Sequence, residues 1–160
     1  MPVPLEDFPK IISVDDHVVE PPHVWQDRLP EKYKDAGPRI VIAPQGEMTL
    51  VDGSWVETPG DGDKMAAWWH YEDHRYQIKE MIACAGRDPK TVTMQGVTYD
   101  DIRPGCYEPK ARLEDMDDNH VEASICFPNY PRFCGQLFAE RKNKELSKLC
   151  VEAYLSLIHI

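Results

Sequence analysis

Two short segments rich in β-branched residues, with a helical segment before the second, constrain the fold of this 160-residue chain most strongly. Residues 11–17 have the pattern of a buried strand that ends in polar residues, and residues 121–127 have that of a second strand that ends at Pro128. Pro109 suits the first turn of a helix that ends near residues 119–120. A further helix with one apolar face begins near Asn143, a plausible N-cap. Strand, insertion, helix, strand and helix in this order predict parallel strands of an α/β protein.

The insertion between the two strands, about residues 22–108, is too long for an ordinary loop. Asp52-Gly53 is a favoured hairpin dipeptide and joins the last two of three strand-like runs. These runs predict a small antiparallel flap and cover residues 39–43, 48–52 and 54–57. Residues 64 to about 84 have the pattern of a helix in which two adjacent tryptophans offer a large apolar contact.

Charge argues against a nucleic-acid or membrane partner. The chain has 28 acidic and 18 basic residues and a formal net charge of −10, whereas binding to phosphate backbones or anionic lipid begins with a basic patch. No apolar stretch approaches the ~20 residues that span a bilayer, and residues 1–7 lack the features of a signal peptide. We therefore expect a cytoplasmic protein.

The five cysteines are widely spaced and form no CxxC pair, which indicates neither a disulfide framework nor a thiolate zinc site. We expect reduced packing residues, mostly buried, at Cys84, Cys106, Cys126, Cys134 and Cys150.

Asp15 and His17, at the end of the first strand, are the candidate metal ligands. Alternation along a strand places these two side chains on one face and Asp16 on the other. A carboxylate and an imidazole two residues apart can bind one divalent ion without distortion of the backbone. Strand-end capping or an ion pair is the alternative role of such residues.

The segment around these ligands resembles the opening strand of the amidohydrolase-related family allied to aminocarboxymuconate-semialdehyde decarboxylase and the resorcylate-type decarboxylases. Several members carry acid-x-His followed by proline four residues after the histidine, which here are Asp15, His17 and Pro21. The resemblance covers most of residues 11–154.

The resemblance implies the N-terminal portion of a (β/α)8 TIM barrel, with the insertion and its flap placed over the catalytic face as a lid or partner contact. Residues 103–117 are similar to the first helix of the family, and residues 121–128 to its second barrel strand. Asn119 or His120 must then take the left-handed helix cap. Because a complete barrel takes ~250 residues, we expect the barrel to be incomplete in this chain.

By the same resemblance, Asp15 and His17 match the first two metal ligands, and zinc or manganese suits this mixed ligation. The family completes its site with a histidine and a catalytic aspartate from later strands, which lie beyond these residues. The implied function is a metal-dependent hydrolase or decarboxylase acting on a small, carboxylated or cyclic substrate, homo-oligomeric at full length and inactive as this fragment. The alternative is a non-catalytic binding or interaction module.

Five residues near the strand ends are candidate substrate contacts. Arg132 could clamp a substrate carboxylate, and two phenylalanines could wall an aromatic ring. Ordinary loop packing is the alternative role of the residues that follow the second strand. For the glutamate, the alternatives are a solvated acid and a group that supports the metal ligands. The candidates are Glu20, Phe127, Asn129, Arg132 and Phe133.

His70, Glu72 and His74 form an H-x-E-x-H pattern on the predicted helix of residues 64–84. Histidines four residues apart can share a metal, but the order differs from the HExxH of zinc proteases. We do not expect a separate metal site there.

Residues 155–160 end the family resemblance abruptly. Their six residues match the translation of a transposon-end adapter used in sequencing libraries. The hypothesis is that residues 1–154 are native and that this tail is not. The alternative is an ordinary hydrophobic helix end, since Leu157 and Ile158 would continue the apolar face.

Overall fold

The computed structural model describes residues 8–157, and within them all side chains except those of residues 48, 49, 51, 54–56, 59 and 157. This part of the chain forms seven strands and four α-helices. In chain order they are β1 (Ile11–Val18), α1 (Glu31–Lys34), β2 (Arg39–Pro44), β3 (Gly46–Val51), β4 (Ser54–Pro59), β5 (Met65–Tyr71), β6 (His74–Gln77), α2 (Pro109–Asp118), β7 (Val121–Pro128), α3 (Gln136–Glu140) and α4 (Lys144–Leu157). Short 3-10 turns cover Glu80–Ala83, Tyr99–Asp101 and Pro104–Cys106.

The predicted pair of parallel strands is present, with α2 as the helix that leads from the insertion into β7. β1 pairs with β7 in parallel, from Ile11 opposite Val121 to Val18 opposite Pro128. α2 begins at Pro109, as predicted, and the chain leaves it through His120 at a φ of 58°. His120 is therefore the residue that takes the left-handed cap.

The insertion holds two antiparallel sheets. β3 and β4 form the predicted hairpin, and its turn residues Asp52 and Gly53 have φ angles of 49° and 79°. The first run of the predicted flap, β2, is not part of that hairpin. It pairs with β5 in a three-stranded sheet of order β2-β5-β6.

The prediction of a helix over residues 64–84 is wrong: this segment forms β5, β6 and a 3-10 turn. β5 is the central strand of its sheet and is buried on both faces, at Ala66, Ala67, Trp68, Trp69 and Tyr71. A strand covered on both faces loses the alternation that identifies it, and its continuous apolar run is then indistinguishable from a buried helix. His70 and His74 accordingly lie on two paired strands, not on one helix.

An aromatic core joins the insertion to the C-terminal helices. Trp25 packs edge-to-face on Trp69 at 4.8 Å between ring centroids, and Tyr130 stacks on Trp69 at 5.1 Å. The indole Nε1 of Trp25 donates a hydrogen bond to the Cys150 carbonyl at 3.0 Å. The predicted apolar face of α4 packs here, with Leu146, Cys150, Ala153 and Tyr154 buried and Leu149 half-buried.

α4 begins where the sequence predicted, because the Asn143 Oδ1 accepts the backbone N–H of Leu146 at 3.1 Å. Its residues 155–157 belong to the tail that the adapter hypothesis concerns, and residues 158–160 lie outside the described residues.

The expectation that β1 is a buried strand is wrong for the described residues. Ile12 is 64% exposed, Val14 65% and Ile125 of β7 55%. Strands of a parallel sheet are buried when neighbouring strands and helices cover them, and here β1 and β7 each pair with one strand only within residues 8–157. The core therefore lies between the insertion, the loop after β7 and helices α3 and α4, whereas the parallel pair is exposed.

The expectation of mostly buried cysteines is also wrong. All five are free, but only Cys150 is buried, and Cys134 is exposed. Cys134 lies in the loop after β7, where no apolar element covers it.

Trp25→Ala should lower the free energy of unfolding by about 3–5 kcal/mol, because it removes a fully buried ring and its hydrogen bond to α4. Urea denaturation followed by circular dichroism measures the change. Met94→Ala is the control, since Met94 is exposed and its truncation should stay within about 0.5 kcal/mol. Equal effects of the two substitutions would contradict the assignment of the core.

Candidate functional site

The carboxyl end of β1, which pairs with β7, carries the candidate metal ligands Asp15 and His17. The Asp16 carboxylate accepts a hydrogen bond from the Ser124 hydroxyl and lies 3.2 Å from the Arg112 guanidinium of α2. Asp16 thus faces α2, and alternation places Asp15 and His17 on the opposite face. Within residues 8–157, no side-chain hydrogen bond or ion pair involves Asp15 or His17, and both residues are exposed.

A bulge in β1 lies immediately before these ligands. Ser13 pairs with Ser124 and Asp16 with Cys126, so that β1 has one residue more than β7 over this stretch. Val14 and Asp15 are both exposed, whereas Ser13 and Asp16 are half-buried. The extra residue interrupts the alternation before Asp15 and leaves Asp15 and His17 on one face.

An aromatic pair lies beside His17. The His17 ring is 6.0 Å from the Phe127 ring, and Phe127 stacks on Phe133 at 4.9 Å with an interplanar angle of 18°. Phe133 is exposed. The imidazole therefore has an apolar wall on the side of β7.

Glu20 is not a solvated acid. It is only 1% exposed, and its carboxylate accepts the backbone N–H groups of Asn129 at 2.8 Å and Tyr130 at 3.2 Å. The Asn129 side-chain amide donates in turn to the Val18 carbonyl at 2.9 Å. These bonds tie the end of β1 to the end of β7. Burial raises the pKa of Glu20 to about 7, and the backbone N–H groups offset this only in part.

Arg132 lies at the surface after β7, where its guanidinium pairs with Glu140 at 3.3 Å. Its backbone has a φ of 62°, in the left-handed region that non-glycine residues seldom occupy. The turn that contains it is closed by the Arg132 N–H, which donates to the Asn129 carbonyl at 3.1 Å.

The donor set fits part of a metal site. Asp15 and His17 offer a carboxylate and an imidazole, which are donors suited to zinc or manganese. Among the described residues there is no group of three or more His, Cys, Asp or Glu side chains that could hold an ion. Further ligands would have to come from outside residues 8–157.

Sequence patterns missed a second group of polar side chains. Four buried polar atoms have no hydrogen-bond partner among the described residues, and three of them are His74 Nδ1, Tyr130 Oη and Arg141 Nε. These residues come from β6, the loop after β7 and the residue that follows α3. No spacing rule links residues so far apart, although the H-x-E-x-H pattern did contain His74.

Comparisons with known proteins support the fold. No family model and no curated protein matches the chain. Among solved structures it is similar to an amidohydrolase from Mycobacterium avium subsp. paratuberculosis K-10, with a TM-score of 0.52 and 18% sequence identity. The match covers 91% of this chain and 36% of that chain. The chain therefore has a mixed α/β fold similar to part of an amidohydrolase and spans about a third of that protein's length.

The helices of the structure can be compared with the expectation that the chain has no membrane-spanning segment. No helix within residues 8–157 has both the length and the apolar composition that a membrane span requires.

Glu20 should make stability depend on pH. Because the folded-state pKa is raised from 4.5 to about 7, the folded chain binds more protons than the unfolded chain between these values. The free energy of unfolding should therefore fall as pH rises from about 4.5 to about 7, by up to about 3 kcal/mol, and then level off.

Urea denaturation of the wild type and of Glu20→Gln from pH 4.5 to 8 isolates this contribution, because the variant keeps an oxygen acceptor but does not titrate. The difference between the two proteins should change across the window. A constant difference would show that Glu20 is not the titrating group.

Proposed function

We propose that this chain is the N-terminal, metal-binding part of an amidohydrolase-superfamily enzyme with a (β/α)8 barrel. The observation that carries the proposal is that Asp15 and His17 lie at the carboxyl end of a strand in a parallel pair, where both are exposed and neither side chain has a hydrogen bond or ion pair within the described residues. Active sites of such barrels lie at the carboxyl ends of their strands. The similarity of the fold to part of an amidohydrolase supports the same assignment.

Asp15 and His17 would hold one divalent ion, zinc or manganese. The chemistry that this ion supplies when bound is Lewis-acid activation of water or polarisation of a substrate oxygen. The Phe127 ring lies beside the His17 imidazole on one side and is itself packed against Phe133. This contact limits the positions that the imidazole can take.

The other candidate residues divide into two roles. Phe127 and Phe133 form an apolar wall for the ring of a small substrate, and Arg132 lies after the same strand as a partner for a substrate carboxylate. Glu20 and Asn129 are positioning residues, because their side chains bind backbone groups at the ends of β1 and β7.

We propose a small, carboxylated or cyclic organic substrate, and either hydrolysis or nonoxidative decarboxylation as the reaction. The catalytic aspartate and the remaining ligands belong to strands beyond these residues, so residues 1–160 alone are inactive. The complete protein acts in the cytoplasm and assembles as a homo-oligomer.

The second candidate function, a non-catalytic interaction module, is favoured by the open parallel pair. β1 and β7 expose Ile12, Val14 and Ile125 and have unpaired edges within the described residues. Such surfaces bind other chains. A soluble, monomeric 160-residue protein with one cooperative unfolding transition would support this alternative over the enzyme.

Loss of either ligand should remove the metal from the complete protein encoded by the gene. We expect about one zinc or manganese per chain, and less than a tenth of that in His17→Ala and Asp15→Asn, because each removes one of few ligands. Mass spectrometry of the purified protein measures the metal content.

Matched controls are His23→Ala, which removes an exposed histidine, and Asp16→Asn, which weakens the contact with Arg112. Both should keep the metal, although Asp16→Asn should be less stable. Metal retained by His17→Ala, or lost equally from all four variants, would contradict the assignment.

Analysis of the products distinguishes hydrolysis from decarboxylation. An aromatic carboxylic acid incubated with the complete, metal-loaded protein should release carbon dioxide if the enzyme is a decarboxylase, whereas an amide or lactone should be opened by water if it is a hydrolase. Turnover of neither class by a metal-loaded protein would argue against the proposed substrate class while leaving the metal site intact.

A further inference from the structure

Three polar atoms that lack hydrogen-bond partners belong to one group of side chains. They are the Tyr130 hydroxyl, His74 Nδ1 and Arg141 Nε. The fourth such atom among the described residues, Arg112 Nε, lies on α2, in the group that contacts Asp16. Buried polar groups in proteins are almost always paired, so three unpaired atoms in one place require an explanation.

Contacts bring these side chains together. The His74 ring lies 5.9 Å from the Tyr130 ring. Arg141 donates from Nη1 to Asp73 at 2.9 Å, and Asp73 precedes His74 in the chain. Arg132 lies two residues after Tyr130, in the turn with the left-handed backbone. The turn between β5 and β6, the loop after β7 and the residue after α3 thus meet here.

The charge of this group is positive in a chain whose net charge is −10. Burial lowers the pKa of His74 most, and the nearby guanidinium groups of Arg141, Arg132 and Arg75 lower it further, while Asp73 acts in the opposite direction. Two acids oppose them, Asp73 and Glu140, and their side chains are 82% and 52% exposed. Solvent therefore screens the acids more than it screens Arg141, whose side chain is 17% exposed.

Tyr130 is the most deeply buried residue of this group. Its ring is held between Trp25 and Trp69, and the residue is only 3% exposed, so the hydroxyl has a fixed position. The side chain of Arg132, by contrast, is 55% exposed. Exposure thus decreases from Arg132 through Arg141 to Tyr130.

We infer that Tyr130, His74, Arg141 and Arg132 form an oxyanion subsite that binds the carboxylate or phosphate group of a small molecule. The Tyr130 hydroxyl and Arg141 Nε are donors without acceptors, and an oxyanion supplies the acceptors that both lack. A planar guanidinium is the preferred partner of such groups. His74 contributes a ring nitrogen that donates in one tautomer.

The oxyanion subsite does not depend on the proposed metal pair. All four of its residues lie in the described part of the chain, and none is Asp15 or His17. Its test needs neither metal nor turnover, so failure of this inference and failure of the metal proposal are distinguishable.

The test is titration of the complete protein encoded by the gene, freed of metal with a chelator, with inorganic phosphate and with acetate, at constant ionic strength set with chloride. Isothermal calorimetry should show saturable binding of at least one of the two anions. Arg141→Met and Tyr130→Phe should each weaken that binding by about tenfold, the effect of losing one charge-assisted hydrogen bond. Arg87→Met is the matched control, because Arg87 pairs with Glu80 elsewhere on the insertion, and it should bind as the wild type does.

Tyr130→Phe keeps the ring that packs on Trp69, and circular dichroism should confirm that it folds. Arg141→Lys provides a second variant that keeps the charge but loses Nε, and it should also bind more weakly. The inference would be overturned by an absence of saturable binding to the wild type, or by equal binding to the wild type and to folded Arg141→Met and Tyr130→Phe. Preference for acetate would identify a carboxylate ligand, and preference for phosphate a phosphorylated one.

Discussion

The bonds of the Glu20 carboxylate are the interaction on which the rest of this structure depends. One side chain, in the segment that follows β1, accepts two backbone N–H groups from the loop that follows β7. The first of these groups belongs to Asn129, whose side-chain amide donates a hydrogen bond to the Val18 carbonyl. The second belongs to Tyr130, whose ring stacks on Trp69 of β5. The same carboxylate thus fixes the ends of both parallel strands and the position of the aromatic core relative to them.

This arrangement separates what stabilises the chain from what would perform chemistry. Buried apolar area is concentrated around Trp25, Trp69 and Phe138, all outside the parallel pair. β1 and β7 instead present exposed apolar side chains, and β1 also presents the exposed candidate ligands Asp15 and His17. Because the hydrophobic contribution scales with the apolar area removed from water, the packing of the insertion against the C-terminal helices supplies most of the stabilisation. The bonds of Glu20 join the ends of the strand pair to this core.

Local signals in the sequence explain which elements could be predicted. The two parallel strands, α2, α4 and the β3–β4 hairpin follow from turn residues, caps and apolar faces that act within a few residues, such as Asp52-Gly53 and Asn143. β5 was mistaken for a helix because burial on both faces removes the alternation of a strand. The roles of Glu20 and Tyr130 depend on contacts across about 110 positions, between 20 and 130, which no local pattern contains.

The two candidate sites differ in how much of each the described chain supplies. Asp15 and His17 are two candidate donors on one strand, and a divalent ion takes four or more ligands, so these two residues make up only part of a metal site. The oxyanion subsite draws on three segments that already meet, and Tyr130 at its base is held by the same Glu20 that joins the strands. A small acid bound there would lie near the end of β7, the strand that also carries Phe127 beside His17. Under the two proposals, an anionic group is recognised near the end of β7, whose parallel neighbour β1 carries the candidate ligands Asp15 and His17.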